Sequence, residues 1–232
     1  MGDAQLRQME VDGRTGVGSV AERHLSDFAY TRLLDMMLAG ELKPGAALHE
    51  RRLAQMLEIS RTPVREALFR LEAEELIIRR PERQLVVADI GLETYVRLLD
   101  LRRILEVEVA ARATGRVTAE RCIEVEAAID ALLSANTVTS AQHWAVDDLV
   151  HHTIADAAGN PVLAQTILDL RRRTHIFNTS RISHRLVPGS EEHRQLIRAT
   201  TGDDPELSRR LMGEHLDHVR DAIVDYLLGI RR

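Results

Sequence analysis

The feature that most constrains this chain is a pair of short helices joined by a tight turn and followed directly by two β-prone runs. Apolar residues recur at helical spacing in three successive segments, at 26–38, 50–57 and 61–74. The turn at 58–60 joins the last two segments, and the apolar runs at 76–78 and 85–87 indicate a short hairpin. Three helices and a hairpin in this order predict a winged helix-turn-helix.

Capping residues support these helix boundaries. Ser26 is a candidate N-cap of the first helix, and Ser60 is a candidate N-cap of the third. Pro63 falls in the first turn of the third helix, where the N–H that proline lacks would have no helical partner. Gly40 and the Lys43-Pro44-Gly45 stretch stop the first helix.

The rest of the chain has a helical apolar period almost throughout. Helices are predicted near 91–113, 118–134, 140–158, 161–183, 190–200 and 204–229. Glycine and proline mark the breaks between them, including Gly115 and Pro188-Gly189. Short connections between long amphipathic helices imply an all-α antiparallel helical bundle. We therefore predict a mostly α protein with a flexible tail at 1–24, a winged helix-turn-helix at 25–88 and an all-helical domain at 89–232.

Composition narrows the class of protein. Apolar residues make up 44% and charged residues 29%, as in an ordinary globular protein, and the low aromatic content of 3% favours helices. The single cysteine, Cys122, excludes an internal disulfide and fits a reducing cytosol. No apolar run is long enough to cross a bilayer, so we expect a cytoplasmic protein without membrane contact. The formal net charge of −5 still allows a nucleic-acid partner, because phosphate contact depends on the local placement of arginine.

Arginines on one face of the predicted helix-turn-helix indicate a DNA contact. Arg61 and Arg65 lie one turn apart, opposite the apolar stripe, where the second helix of such a motif meets a major groove. The arginine fork suits this position because it can donate to O6 and N7 of guanine together. Arg51 and Thr62 can reach phosphates or base edges, and Arg83 at the hairpin tip can enter a minor groove. The alternative is that these arginines form a solvated face.

Histidines are concentrated in the helical half of the chain. Asp147 and His151 are four residues apart and share one helix face. His193 and His215 lie on two later helices that a bundle could bring opposite that face. An aspartate with three imidazoles makes a site for a divalent metal ion such as Zn, Ni or Mn.

Spacing alone leaves the register of this site open. Asp148 and His152 make an equally good pair at the same spacing, and His218 competes with His215. Histidines on solvated helix faces are the other alternative. A metal is therefore one of several hypotheses that the spacing allows.

Two segments of the predicted DNA-binding domain resemble the GntR family of bacterial regulators. They are Leu48-His49-Glu50-Arg51-Arg52-Leu53-Ala54 and Ser60-Arg61-Thr62-Pro63-Val64-Arg65-Glu66-Ala67-Leu68, preceded by Gly40-Glu41-Leu42-Lys43-Pro44-Gly45. The resemblance covers residues 26–88. It implies DNA contacts at Arg51, Arg61 and Arg65, with a wing residue near Arg83.

Three positions depart from the family pattern, which usually has glycine at each. This chain has Glu58 in the turn, Glu75 before the first wing strand and Gln84 in the wing. At the first two, the family pattern implies left-handed backbone, which costs a residue with a Cβ about 1 kcal/mol. Gln84 puts the wing contact in doubt but leaves the fold expectation unchanged.

The helical half is similar to the FCD ligand-binding domain of the FadR-type branch of that family. The similarity rests on Asp147-x-x-Val150-His151-x-x-Ile154-Ala155-x-Ala157-Ala158-Gly159-Asn160-Pro161, in which Val150 replaces the usual Phe. It implies that the metal ligands are Asp147, His151, His193 and His215. Under this register His152 and His218 are solvated.

The same resemblance implies a small organic acid as effector, completing the coordination of the metal. Arg102 matches the family's L-R-x-x-L-E and could form a charge-assisted bond to such an acid. The alternative is that it pairs with Glu106, four residues on along the same helix. The run Arg171-Arg172-Arg173 is expected to be a solvated face.

Together these features predict a homodimeric transcriptional regulator, expected to be a repressor, that binds a palindromic operator and responds to a small carboxylate. A regulator whose metal is structural, or is itself the signal, is an alternative. Another is a metal-dependent hydrolase fused to a DNA-binding domain, since a metal with open positions can activate water. No general base stands obviously beside the ligands, so we expect no enzyme activity.

Overall fold

The computed structural model describes residues 23–178, 185–227 and 229. Contacts divide the chain into two compact units. Of the described residues, the N-terminal unit contains 23–37 and 45–88. The C-terminal unit contains 38–44 and the described residues from Asp89 onward.

The N-terminal unit combines three helices with a small sheet. Its helices are α1 (23–38), α2 (Glu50–Met56) and α3 (Arg61–Ala73), and its strands are β1 (Ala47–Leu48), β2 (Ile77–Arg79) and β3 (Leu85–Val87). The strands are antiparallel in the order β1-β3-β2, with Val86 of the central strand opposite both Ala47 and Ile78. This arrangement confirms the predicted winged helix-turn-helix. Strand β1 was not predicted, because two residues are too short to show a period of their own.

The core of this unit is the inward stripe of α3. Val64, Ala67, Leu68 and Leu71 are all at most 1% exposed, as the helical spacing predicts. The prediction that Ser26 caps the first helix is wrong. Helix α1 is already in progress at residue 23, and Ser26 is buried within it.

Three non-glycine residues of this unit have left-handed backbone. Glu58 and Glu75 both have φ of 57°, as the family pattern implied. In the wing the left-handed residue is Arg83, with φ of 61°, rather than Gln84. Arg83 adopts it in a tight turn, in which its N–H donates to the Arg80 carbonyl at 2.9 Å. The missing glycines therefore leave backbone strain in place without changing the fold.

Six helices form the described part of the C-terminal unit. They are α4 (Leu92–Ala113), α5 (Ala119–Ser134), α6 (Ser140–Ala157), α7 (Pro161–Asn178), α8 (Leu186–Thr201) and α9 (Pro205–Leu227). Helix α4 packs against α9, α7, α6 and α8, so it is the central element. The core of aliphatic side chains between the helices includes Val109, Ile129, Ile154 and Leu196. None of the helices in the described residues combines the length and the apolar character needed to cross a membrane.

Helix ends follow the predicted breaks with one exception. Gly115 and Gly159 have left-handed φ values of 74° and 75° where α4 and α6 end. The predicted break at Pro188-Gly189 is wrong, because α8 begins at Leu186 and contains both residues in its first turn. Proline is tolerated there because the first turn has no N–H bond to lose. The predicted extension of α7 over 179–183 lies outside the described residues.

Replacing Glu75 with glycine is expected to stabilise the protein. At φ of 57° the Cβ of Glu75 is strained, and its removal should raise the free energy of unfolding by about 1 kcal/mol. Glu66→Gly is the matched control, because Glu66 is exposed within α3 and glycine there should lower stability by about 1 kcal/mol. Urea unfolding followed by circular dichroism measures both. A Glu75→Gly variant no more stable than the parent would contradict the strain.

Candidate functional site

Two exposed arginines near the start of α3 lie beside one carboxylate of α2. The side chains of Arg61 and Arg65 are 61% and 53% exposed. Both guanidinium groups lie 3.5 Å from Oε2 of Glu50. Glu50 thus holds the two cations side by side on one surface, where a polyanion could approach them. Sequence reasoning missed this residue, which lies eleven positions upstream of Arg61.

The other predicted DNA contacts also lie at the surface. Arg51 and Thr62 are exposed in the first turns of α2 and α3. Arg83 is exposed at the turn between the two wing strands. The array of Arg61 and Arg65 therefore belongs to a larger exposed surface, with a separate cation on the wing.

Four side chains predicted as metal ligands converge in the C-terminal unit. One ligand atom from each of Asp147, His151, His193 and His215 lies within 4.8 Å of the others. Asp147 and His151 come from α6, His193 from α8 and His215 from α9. The three histidines are each at most 3% exposed. Buried polar groups at such spacing leave room for one shared cation.

The donor atoms of this cluster fit a divalent metal. Nε2 of His151 and Nε2 of His193 are buried and accept or donate no hydrogen bond within the described residues. Burial lowers the pKa of His151 to about 4, and burial together with His215 lowers the pKa of His193 well below its ordinary value. Both rings are therefore neutral near pH 7, which is the form that binds metal. An orphaned, neutral imidazole nitrogen in a buried site is satisfied by a cation.

Two carboxylates orient the histidines. Glu106 binds Nδ1 of His151, and Glu192 Oε2 lies 2.9 Å from Nδ1 of His215. Burial raises the pKa of Glu106, but Arg102 and His151 outweigh it and the pKa is lowered. An ionised carboxylate can only accept, so Nδ1 of His151 donates and Nε2 is left free for a metal. Neither carboxylate was predicted in this role.

Arg102 is engaged with the same buried carboxylate. Its Nε donates to Oε1 of Glu106 at 2.7 Å, and its Nη1 donates to Oγ1 of Thr174 at 2.9 Å. This is the pairing that the sequence left as an alternative to effector binding. Arg102 also lines the cavity described below, so its pairing with Glu106 leaves it at the wall of that cavity.

The prediction that Arg171 belongs to a solvated face is wrong. Its side chain is 2% exposed, and its Nη2 donates to Oδ2 of Asp147 at 2.7 Å. Arg172 and Arg173 are only partly buried. The signal that could have found it is the helical spacing of Arg171 from Ile167 and Thr174, which are at most 1% exposed on the same face of α7.

The competing histidines lie at the surface. The side chains of His152 and His218 are 48% and 54% exposed. His152 pairs with Asp156 on its own helix, and Nδ1 of His218 lies 2.9 Å from Glu192. Neither belongs to the group of converging ligand atoms.

A cavity of about 140 Å³ opens onto the cluster. Asp147, His193 and His215 line one part of it, together with the guanidinium-bearing side chains of Arg102, Arg171 and Arg185. Trp144, the only tryptophan of the chain, forms part of the wall and contacts His175, with ring centroids 4.2 Å apart and ring planes tilted by 39°. A cavity lined by three guanidinium groups beside a candidate metal site suits a small anion.

Replacing Glu106 with glutamine is expected to weaken metal binding. Glutamine lacks the negative charge that keeps the proton of His151 on Nδ1 and leaves Nε2 unprotonated. Metal affinity should therefore fall by about 10–100-fold. Stability should also fall by about 3 kcal/mol, because Arg102 loses its buried partner. Chelator competition and urea unfolding measure the two effects.

Glu108→Gln is the control for this substitution. Glu108 lies on the same helix but pairs with Arg112 and Arg209 at the surface. We expect wild-type metal affinity from it. Equal metal affinity for the Glu106 and Glu108 variants would refute an orienting role for Glu106.

Comparison with known proteins identifies both units. Residues 25–87 match the profile described as bacterial regulatory proteins, gntR family, and residues 97–218 match the FCD domain. The HTH-type transcriptional regulator YcbG of Bacillus subtilis is 28% identical over 222 residues, which cover 90% of this chain and 94% of that protein. The HTH-type transcriptional repressor RspR of Escherichia coli is 24% identical over 185 residues, covering 78% and 81%.

The fold has a counterpart among solved structures. The structure of E. coli McbR/YncC superposes with a TM-score of 0.74 at 24% identity, covering 87% of this chain and 97% of that one. The matched relatives are regulators of transcription rather than enzymes. Because the FCD profile alone spans more than half of the chain, the protein belongs to the GntR family of bacterial transcriptional regulators, in the branch that carries a C-terminal FCD domain.

Proposed function

We propose that this regulator binds a palindromic operator as a homodimer, acts as a repressor, and is controlled by a small organic acid bound at a divalent metal in the C-terminal unit. One observation carries the proposal. Ligand atoms from three helices lie within 4.8 Å of one another beside a cavity lined by arginines. Such a site serves no need of the fold alone, since apolar side chains would fill the same space with less desolvation.

The DNA-binding part of the proposal assigns base reading to α3. Arg61 and Arg65 are exposed one turn apart at its N-terminal end, where a recognition helix meets base edges. Arg51, Thr62 and Arg83 are assigned to phosphates or neighbouring base edges, because they are exposed on α2, α3 and the wing.

Replacing Arg61 or Arg65 with alanine is expected to weaken operator binding by about 1–3 kcal/mol each and to relax the base preference. The operator is selected from a random DNA library with the full chain, and affinity is measured by fluorescence anisotropy at fixed salt. Arg70→Ala is the control, because Arg70 lies on the same helix but pairs with Asp27 at 2.5 Å. An equal loss in the control would count against base reading by Arg61 and Arg65.

A homodimer matches the inverted symmetry that we propose for the operator. Two copies related by a two-fold axis present two reading helices to inverted half-sites. Leu101 and Ile104 support self-association, because they are 42% and 69% exposed on the same side of α4. Selected operators should therefore be inverted repeats, and a single unrepeated site would contradict the dimer.

The metal part of the proposal assigns Asp147, His151, His193 and His215 as ligands. Three imidazole nitrogens and one carboxylate oxygen suit Zn, Ni or Mn. A six-coordinate ion held by four protein atoms would supply open positions for a carboxylate. Arg102, which lines the cavity, is positioned to bind the same acid through a charge-assisted hydrogen bond.

His151→Ala is expected to abolish stoichiometric metal binding, whereas His152→Ala should retain it. The two residues are adjacent, but one is 2% exposed and the other has a half-exposed side chain paired with Asp156. Elemental analysis of the purified variants measures the metal content. Unchanged metal in His151→Ala would show that the ligands are assigned wrongly.

The effector class is tested on the same samples. Thermal shift and Trp144 fluorescence are recorded with acetate, lactate, oxalate and malonate, with and without chelator, because Trp144 forms part of the cavity wall. An acid that stabilises only the metal-loaded protein supports the proposal. If no acid binds, the metal is structural or is itself the signal, and DNA binding with and without metal separates those two.

To regulate, the acid must favour one arrangement of the dimer over another. The relative RspR is named a repressor, which favours the same role here. In vitro transcription from a promoter containing the selected operator tests it, and an increase on adding the protein would contradict repression.

A further inference from the structure

Arg171 is a deeply buried charged group to which the proposed function gives no role of its own. Its side chain is 2% exposed, and it enters the site from α7, a helix that contributes no ligand atom to the cluster. Its Nη2 donates to Oδ2 of Asp147 at 2.7 Å, and the same atom lies 3.6 Å from Asp148. The guanidinium also lies over the Trp144 ring, 5.2 Å from its centroid.

The two oxygens of Asp147 therefore face different groups. Oδ2 accepts the charge-assisted bond from Arg171, whereas Oδ1 lies 3.4 Å from Nε2 of His193, among the converging ligand atoms. Charge-assisted bonds of this length are about twice as strong as neutral ones. Burying an arginine also carries a large desolvation cost, so its bond to Oδ2 is strongly maintained.

We propose that Arg171 is a positioning residue that restricts Asp147 to one metal-binding oxygen. A free aspartate can offer both oxygens to a divalent ion. With Oδ2 held by Arg171, only Oδ1 is offered, and one further position on the ion stays available to an exogenous acid. This inference rests on the proposed metal site and adds the residue that determines how many positions that site keeps open.

The two other nitrogens of the Arg171 side chain, Nε and Nη1, are buried and make no hydrogen bond to any residue that the structure describes. An arginine placed for fold stability alone would be expected to satisfy these groups. Here the guanidinium is directed by one bond, to the ligand oxygen that must be kept from the metal.

The test counts water molecules on Mn²⁺ bound to the full-length protein. Water-proton relaxation should report about two exchangeable waters in the wild type and about one in Arg171→Met, because the freed Oδ2 takes a position on the ion. Oxalate, which needs two positions, should bind Arg171→Met at least about tenfold more weakly. The water count requires no effector, so it separates this inference from the proposed effector function.

Two further variants keep the test decisive. Arg171→Lys retains a cation beside Oδ2 and should keep the wild-type water number even if the methionine variant folds poorly. Arg172→Met is the matched control, since Arg172 is the next residue and contacts only Asp169, at 3.6 Å among the described ion pairs.

Three results would overturn the inference, and the third would overturn the proposed function with it. The first is a wild-type water number in a folded Arg171→Met, which would show that Asp147 is not restricted by the arginine. The second is an equal fall in Arg171→Met, Arg171→Lys and Arg172→Met, which would indicate a general loss of packing. A wild type that binds no Mn²⁺, Zn²⁺ or Ni²⁺ would overturn both the inference and the proposed function.

Discussion

The site of the C-terminal unit depends on one buried carboxylate, that of Glu106. It accepts from Arg102 on its own helix and from His151 on α6, and Arg102 continues to Thr174 on α7. The cation keeps the carboxylate ionised despite burial, and the ionised carboxylate in turn determines which nitrogen of His151 is free. Three helices are joined by this single network, so the ligand geometry and the packing of the bundle cannot vary independently.

Two other predicted ligands are also held in place by charged side chains. His215 is oriented by Glu192, which also accepts from Arg185 at 2.5 Å, and Asp147 is held by Arg171. His151, His215 and Asp147 thus each have a charged partner, which is an anion for the two histidines and a cation for the aspartate. Burial of so many charges is tolerable because each charge has a neighbour of the opposite sign. A metal ion would add two positive charges where the three imidazole rings and the Asp147 carboxylate converge.

The N-terminal unit uses charge differently, at its surface. Glu50 lies 3.5 Å from both Arg61 and Arg65. Ion pairs this long at an exposed surface are weak, so phosphates or bases could readily take the place of Glu50. Its backbone also retains strain at Glu58, Glu75 and Arg83, where residues with a Cβ adopt left-handed φ. The apolar stripe of α3 maintains the fold in spite of this strain, because the burial of its four core residues outweighs about 1 kcal/mol at each position.

Helical spacing and turn chemistry are local, and by themselves they determined the order of the helices, the winged helix-turn-helix and the pairing of Asp147 with His151 on one face. They could not determine the environment of a side chain that depends on a second helix. Arg171 was therefore predicted to be exposed, and Glu50, Glu106 and Glu192 were not assigned their roles. The spacing of Arg171 from Ile167 and Thr174 places it on the buried face of α7, but only the tertiary structure decided that this face meets Asp147, because that contact depends on how α7 packs against α6.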